Sequence, residues 1–412
     1  MNGKAWATLK LKSRARSPTL LPAYYEGDPI TGSLDLHLPR SDPIKAIFLK
    51  VVDNLTYKIT GRIINTRTTG NDVFFRLEHT IWSTFMGHPR DTGNSESSSE
   101  EYNAKLKGSY SWPFSIDVPR EVHIKGIAYP LPPTFQDRNV QCTVQYNIIV
   151  HLARGRLRTD SKFGTAIGFI PYRRPPPPSV LRQLSYLRDL PLVTPEEDND
   201  GWTSLHSLQI PGTIFKIRPV RAKCELWIAN PVCYTRGSVI PCFLNIRTDD
   251  HHMLDLLSSP KAPKVRLVQS VGFQANNSGV RDIRVPASRI VINVTSTSVV
   301  STATWWPSTS RDNPSQNERS LQGELHLPPD LAPTCSFPGF VVSYSIVMHS
   351  FEATGYAPAS RGMVSLASLA VEIVTAHSAG PRARRYAPPS YRPATPPRQF
   401  PLDIVSATSR YS

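Results

Sequence analysis

The sequence has no run of about eighteen consecutive apolar residues, the length a helix needs to cross a bilayer, so no transmembrane helix is expected. The amino-terminal stretch Ala5-Trp6-Ala7-Thr8-Leu9-Lys10-Leu11-Lys12 alternates like a strand and lacks the apolar centre of a secretory leader. Cysteine is scarce: Cys142, Cys224, Cys233, Cys242 and Cys335 make an odd number with no paired spacing, which predicts reduced thiols in a cytoplasmic protein. The sequons at Asn54, Asn276 and Asn293 then read as accidental. Also lacking are a G-x-S-x-G elbow, a phosphate-binding glycine loop and an H-E-x-x-H pair. Asp249-Asp250-His251-His252 has no further ligand at metal-site spacing and reads as a polar turn. Nothing points to an enzyme, and neither a cofactor nor a metal is expected.

What is abundant is proline, 39 residues in 412, against an ordinary 22 glycines. Proline sits badly inside helices and central strands, so this composition favours short elements joined by many turns. Helical periodicity is nearly absent. Alternating or continuous β-branched and aromatic residues recur at 29–38, 44–52, 56–65, 72–83, 107–118 and 140–152. A second series follows at 214–228, 238–247, 264–274, 280–294, 322–327, 340–350 and 364–375. Many short strands between Gly, Pro, Asn and Asp clusters predict an all-β chain of two tandem antiparallel β-sandwich domains.

Three segments interrupt the strands. Thr92–Glu101, rich in serine and acid, reads as a mobile loop. Residues 171–213 open with Arg173, Arg174 and the prolines Pro175 to Pro178, then pass through the acidic run 196–200. A polyproline start makes a semi-rigid spacer, so the expected organisation is domain 1–170, linker 171–213, domain 214–377 and a disordered tail 378–412 rich in proline and arginine. Leu181, Leu184 and Leu187 could share one face of a short helix in the linker, which would need a surface to dock on.

The two halves repeat one another. Tyr24-x-x-Gly27-x-x-Ile30-x-x-x-Leu34-x-Leu36 reappears as Tyr234-x-x-Gly237-x-x-Ile240-x-x-x-Leu244-x-Ile246. Leu131-Pro132-Pro133-Thr134 before the Tyr146 strand has its counterpart in Leu331-Ala332-Pro333-Thr334 before the Tyr344 strand. Together with Gly108-Ser109-Tyr110-Ser111-Trp112-Pro113-Phe114-Ser115-Ile116-Asp117-Val118-Pro119, these stretches resemble the arrestin fold family over about residues 5–375, and the α-arrestins most. One departure is Ser238, where an acidic residue commonly follows the glycine.

Pro388-Pro389-Ser390-Tyr391 matches the P-P-x-Y pattern that WW domains bind. Paired prolines preset polyproline II geometry, and the tyrosine reaches a neighbouring pocket. The resemblance implies a cytoplasmic trafficking adaptor, peripherally recruited to plasma membrane or endosomes. It would bind cytosolic tails of transporters or receptors and recruit a WW-domain HECT-type ubiquitin ligase through Pro388, Pro389 and Tyr391. The alternative is an endosomal or signalling scaffold of the arrestin or retromer-like type that uses no ubiquitin ligase. The formal charge of +15 also permits an anionic membrane surface as partner, while nucleic acid is not expected. Arg154, Arg156 and Arg158 alternate, which on an extended strand would align three guanidiniums toward phosphates of a lipid or a cargo peptide.

Overall fold

The computed structural model describes residues 6–15, 20–58, 69–72, 74–89, 101–137, 142–155, 158–273, 293–308, 316–360, 362 and 364–391. Apart from Glu101, the serine-rich segment from Thr92 lies outside them. The chain is mostly β-strand in a two-domain β-sandwich arrangement, one compact unit reaching Pro171 and the other beginning at Tyr172.

In the first unit, Ile30–Asp42 lies between Ala7–Lys12 and Leu106–Ile116 in a three-stranded antiparallel sheet. The opposing sheet runs Ala23–Tyr25, Ser161–Ile170, Cys142–Ala153, Ala46–Lys58, Thr69–Asp72, with Phe135–Asp137 and Arg76–Ser83 completing its edges. Side chains alternate across a strand, so each core-facing set is every second residue. Leu34 and Leu36 meet Tyr110, Trp112 and Phe114 on one sheet, and Val144, Tyr146, Ile148, Val150 and Leu152 are buried on the other.

The second unit pairs two six-stranded sheets. One runs Thr304–Pro307, Glu318–His326, Val239–Arg247, Arg218–Ala229, Trp202–Ile214, Tyr356–Pro358. The other runs Cys233–Thr235, Ser365–Val374, Phe340–His349, Lys264–Phe273, Asn293–Thr302, with Cys335–Phe337 on Phe340–His349. Leu226, Ile228, Leu244, Ile246, Leu267, Phe340, Tyr344 and Ile346 fill the space between. Two helices decorate it: α1 (Val180–Arg188) and α2 (His251–Leu257), which Asp250 caps by accepting from the Met253 N–H at 2.9 Å.

The repeated motifs are wired alike in both units. Ala23–Tyr25 and Cys233–Thr235 each join a sheet edge in parallel, against Gly168–Ile170 and Glu372–Val374. Gly27 and Gly237 follow with φ of 87° and 78°, a left-handed turn that only glycine takes without strain. Asp28 closes its turn with a carboxylate that accepts from the Tyr25 N–H, and Ser238 does the same work with a hydroxyl that donates to the Thr235 carbonyl. The Thr134 hydroxyl accepts from the Phe169 N–H and that of Thr334 from the Ile373 N–H, each at 2.8 Å. The Tyr146 hydroxyl donates to the Pro132 carbonyl at 2.7 Å, and the Tyr344 hydroxyl to that of Ala332 at 2.6 Å.

Two expectations about organisation need correction. Residues 171–213 are no spacer: they carry α1, a turn through the acidic run and the central strand Trp202–Ile214. Residues 378–391 are no disordered tail: they form an ordered strap on the second unit. In both places a polar, proline-rich composition conceals backbone that is held by buried partners.

Candidate functional site

The strap begins where the last strand ends. The Thr235 hydroxyl donates to the Ala376 carbonyl at 2.8 Å, and the Ala376 N–H donates to the Arg173 carbonyl at 2.9 Å. Gly380 then passes Gln183 of α1, and Arg384 Nη1 meets Asp189 Oδ1 at 2.5 Å. The Tyr386 ring lies 6.2 Å from that of Tyr186 and packs on a cluster of Leu192, Trp202, Ala229 and Phe243. Its N–H donates to Oε2 of the buried Glu324 at 3.0 Å, and Ala387 beside it is 1% exposed. An amide held by a buried carboxylate is a strong anchor, because the charge strengthens the bond and water is excluded.

Pro388-Pro389-Ser390-Tyr391 follows this anchor at once. Pro389–Tyr391 form a single 3-10 turn, closed by the Tyr391 N–H donating to the Pro388 carbonyl at 2.9 Å. Pro389 suits the first position of such a turn, since its fixed φ fits and no N–H is wanted there. Pro388 is half-buried, whereas Pro389, Ser390 and Tyr391 are exposed, Tyr391 to 37%. The motif is therefore on the surface, in a folded turn instead of an extended polyproline II strand.

Beneath the strap, α1 buries a cation. Ser179 caps the helix by accepting from the Arg182 N–H, and its hydroxyl donates to Asp198. The Arg182 guanidinium, 2% exposed, donates to the carbonyls of Asn230 at 2.7 Å and Gly201 at 2.5 Å and lies 4.7 Å over the Trp202 ring. Burial lowers its proton affinity, and nearby Tyr186 and Asp198 oppose that shift. A cleft of about 70 Å³ separates strap from domain, lined by Pro176, Arg182, Tyr186, Tyr234, His377 and Arg382. Burial, with Arg382 beside it, holds His377 below its ordinary pKa.

Of the three alternating arginines, two lie among the described residues. The strand stops at Ala153, and Arg154 and Arg158 lie beyond it. Arg154 is engaged internally: Nε donates to Asp42 at 2.8 Å, Nη1 donates to the Thr159 carbonyl and to Ser161 Oγ, and its backbone N–H donates to Asp160. That amide and the His151 ring hold the Asp160 carboxyl below the usual range. Arg158 is exposed in a turn back to Gly155, and Arg156 lies outside the described residues. Arg154 and Arg158 thus differ in setting, the first held by internal partners and the second exposed.

The five cysteines are free thiols, four of them buried, and burial pushes Cys142 and Cys335 up to about 12. Asp249 to His252 span the cap and first turn of α2. Among the described residues no group of His, Cys, Asp and Glu is arranged to hold a metal. No family model matches the chain, and no curated protein sequence matches it. Sequence reasoning missed Tyr386, Glu324 and Arg182. An aromatic residue two positions before a proline pair was the visible sign of the first, while the other two are recognisable only through residues distant in the chain.

Proposed function

We propose that this protein is an arrestin-type adaptor whose surface motif Pro388-Pro389-Ser390-Tyr391 recruits a WW-domain ubiquitin ligase of the HECT type, while its β-sandwich domains bind cytosolic tails of membrane proteins. The observation that carries this reading is the P-P-x-Y sequence with its second proline and tyrosine exposed, next to a strap that ties it to the second domain. The duplicated sandwich with its matched Tyr24 and Tyr234 turns supports the arrestin-type assignment. Tethering raises the local concentration of ligase at the cargo and requires no catalysis by this chain. The site would be cytoplasmic, with peripheral recruitment to plasma membrane or endosomes.

Docking into an aromatic groove needs the extended conformation, so the bond between the Tyr391 N–H and the Pro388 carbonyl opens on binding. A short linear motif buries little surface, and affinity in the micromolar range or weaker is expected by order of magnitude. The test is a pull-down of the full chain by isolated WW domains. Tyr391→Ala and Pro389→Ala should each abolish capture without lowering thermal stability, since both side chains are exposed. Undiminished capture by either variant rejects the motif. The turn itself favours a second reading, in which Pro388–Tyr391 ends the strap and the chain assembles endosomal or signalling proteins without a ligase. Absence of any capture by WW domains would favour it.

A further inference from the structure

Helix α1 is mounted inside out. At about 100° per residue, Val180, Leu184, Leu187, Arg188 and Leu181 share one arc of roughly 120°, and Arg182, Ser185 and Tyr186 lie opposite. An amphipathic helix ordinarily turns its apolar arc to the core. Here the polar arc is buried, because Arg182 finds two carbonyls and an indole face beneath it. Most of the apolar arc is left outside: Val180 is 80% exposed, Leu187 68%, Leu181 44%, and Leu190 just past the helix 43%, while Leu184 between them is half-buried.

The strap lays arginines along this ridge. Gly380 at Gln183, Arg384 at Asp189 and Tyr386 at Tyr186 fix its course beside α1, so the exposed Arg384 and its neighbour Arg385 stand with Arg188 near the carboxyl end of the helix, while Arg382 lines the cleft beside His377. The acidic group among them is Asp189, already paired with Arg384. The exposed acids of the 196–200 run belong to the other end, where Ser179 meets Asp198.

We propose that this leucine ridge with its arginine border is a membrane-docking surface, which inserts its apolar side chains at the headgroup boundary of an anionic bilayer. A convex ridge of leucines bordered by arginines fits a surface that offers both hydrocarbon and negative charge. Four or five side chains fall well short of the ~800 Å² per partner that a stable protein interface buries, whereas a bilayer imposes no such requirement. Arginines near an anionic leaflet add attraction that fades with salt. The surface is independent of the WW motif, so either assignment can fail without the other.

The experiment is co-sedimentation of the full chain with phosphatidylcholine vesicles, with and without phosphatidylserine, at low and high salt. Wild type should sediment with the anionic vesicles. Leu181→Gln with Leu187→Gln should lose partitioning on the order of tenfold or more at either salt. Arg188→Gln with Arg385→Gln should lose roughly fivefold for each arginine at low salt and less at high salt. Both pairs are exposed, so thermal unfolding should match wild type. Binding retained by the leucine pair, or no binding by wild type, overturns the proposal. If wild type ignores vesicles but the leucine pair disrupts capture of an acidic protein partner, the ridge is a protein interface and the membrane assignment fails.

Discussion

The tyrosines and threonines that recur in the two halves owe their pairing to what their hydroxyls hold. Thr134 and Thr334 were legible as a repeated residue after Leu-Pro-Pro or Leu-Ala-Pro, but their partners, the amides of Phe169 and Ile373, lie 35 and 39 residues onward. No local pattern announces a bond of that span. Tyr344 holds two groups, donating to the Ala332 carbonyl and accepting from Gln269 Nε2 at 2.7 Å. Removing one partner of a buried hydrogen bond leaves the other desolvated, so Tyr344→Phe should cost about 1–3 kcal/mol. The urea midpoint should fall with an unchanged slope. Thr334→Val should behave similarly, and Thr334→Ser, which keeps the hydroxyl, should restore most of the loss. Equal stability for the Val and Ser variants would show that the hydroxyl is not what holds the strand.

Elements with clean alternation were readable from sequence, whereas Ser161–Ile170 and Trp202–Ile214, each carrying a glycine at a close approach, were not. Ser161–Ile170 carries Gly164, where a Cβ would come 2.1 Å from the Ile148 carbonyl oxygen, and Trp202–Ile214 carries Gly212, under the Tyr356 ring. In each case glycine marks close approach of a neighbour, which in sequence looks like a turn. The strand Trp202–Ile214 also shifts register between Leu205 and Leu208, breaking its period of two. The strap was misread for a related reason: its anchor is one amide on one buried carboxylate, and hydropathy does not register that. This anchoring has a measurable consequence for the motif beside it. On the proposed function, a WW domain would compete with the turn and with the strap's packing, so apparent affinity would fall by the fraction of chains in which the motif is open. Tyr386→Ala, which removes the ring from its cluster, should raise WW affinity in the full chain, roughly two- to tenfold. Cleavage by trypsin at Arg384 and Arg385 should accelerate in parallel. Unchanged affinity with faster cleavage would show that the turn opens without the strap.

At the scale of the molecule, one wiring scheme is used twice, and among the described residues the strap belongs to the second use. Both units place a parallel edge segment, a left-handed glycine turn and a threonine clamp in the same order, so the duplication read from Tyr24 and Tyr234 reflects matched hydrogen bonds. The second unit, however, carries a buried cluster of Leu192, Trp202, Ala229 and Phe243 on which Tyr386 of the strap packs, and Arg182 of α1 lies over the Trp202 ring. The boundary at residue 377, drawn from composition, would therefore cut through a domain. Ending the full chain after His377 removes the buried Ala387, the Tyr386 ring and the donor to Glu324, a loss on the order of 2–4 kcal/mol. The melting transition of the second domain should then drop by roughly 2–4 °C for each kcal/mol, as expected for a domain of about this size. Ending the chain after Tyr391 instead should leave that transition in place. Calorimetry of the two truncations decides the matter: if both melt like the full chain, the strap rests on the domain without stabilising it, and it would set no barrier against the proposed WW binding.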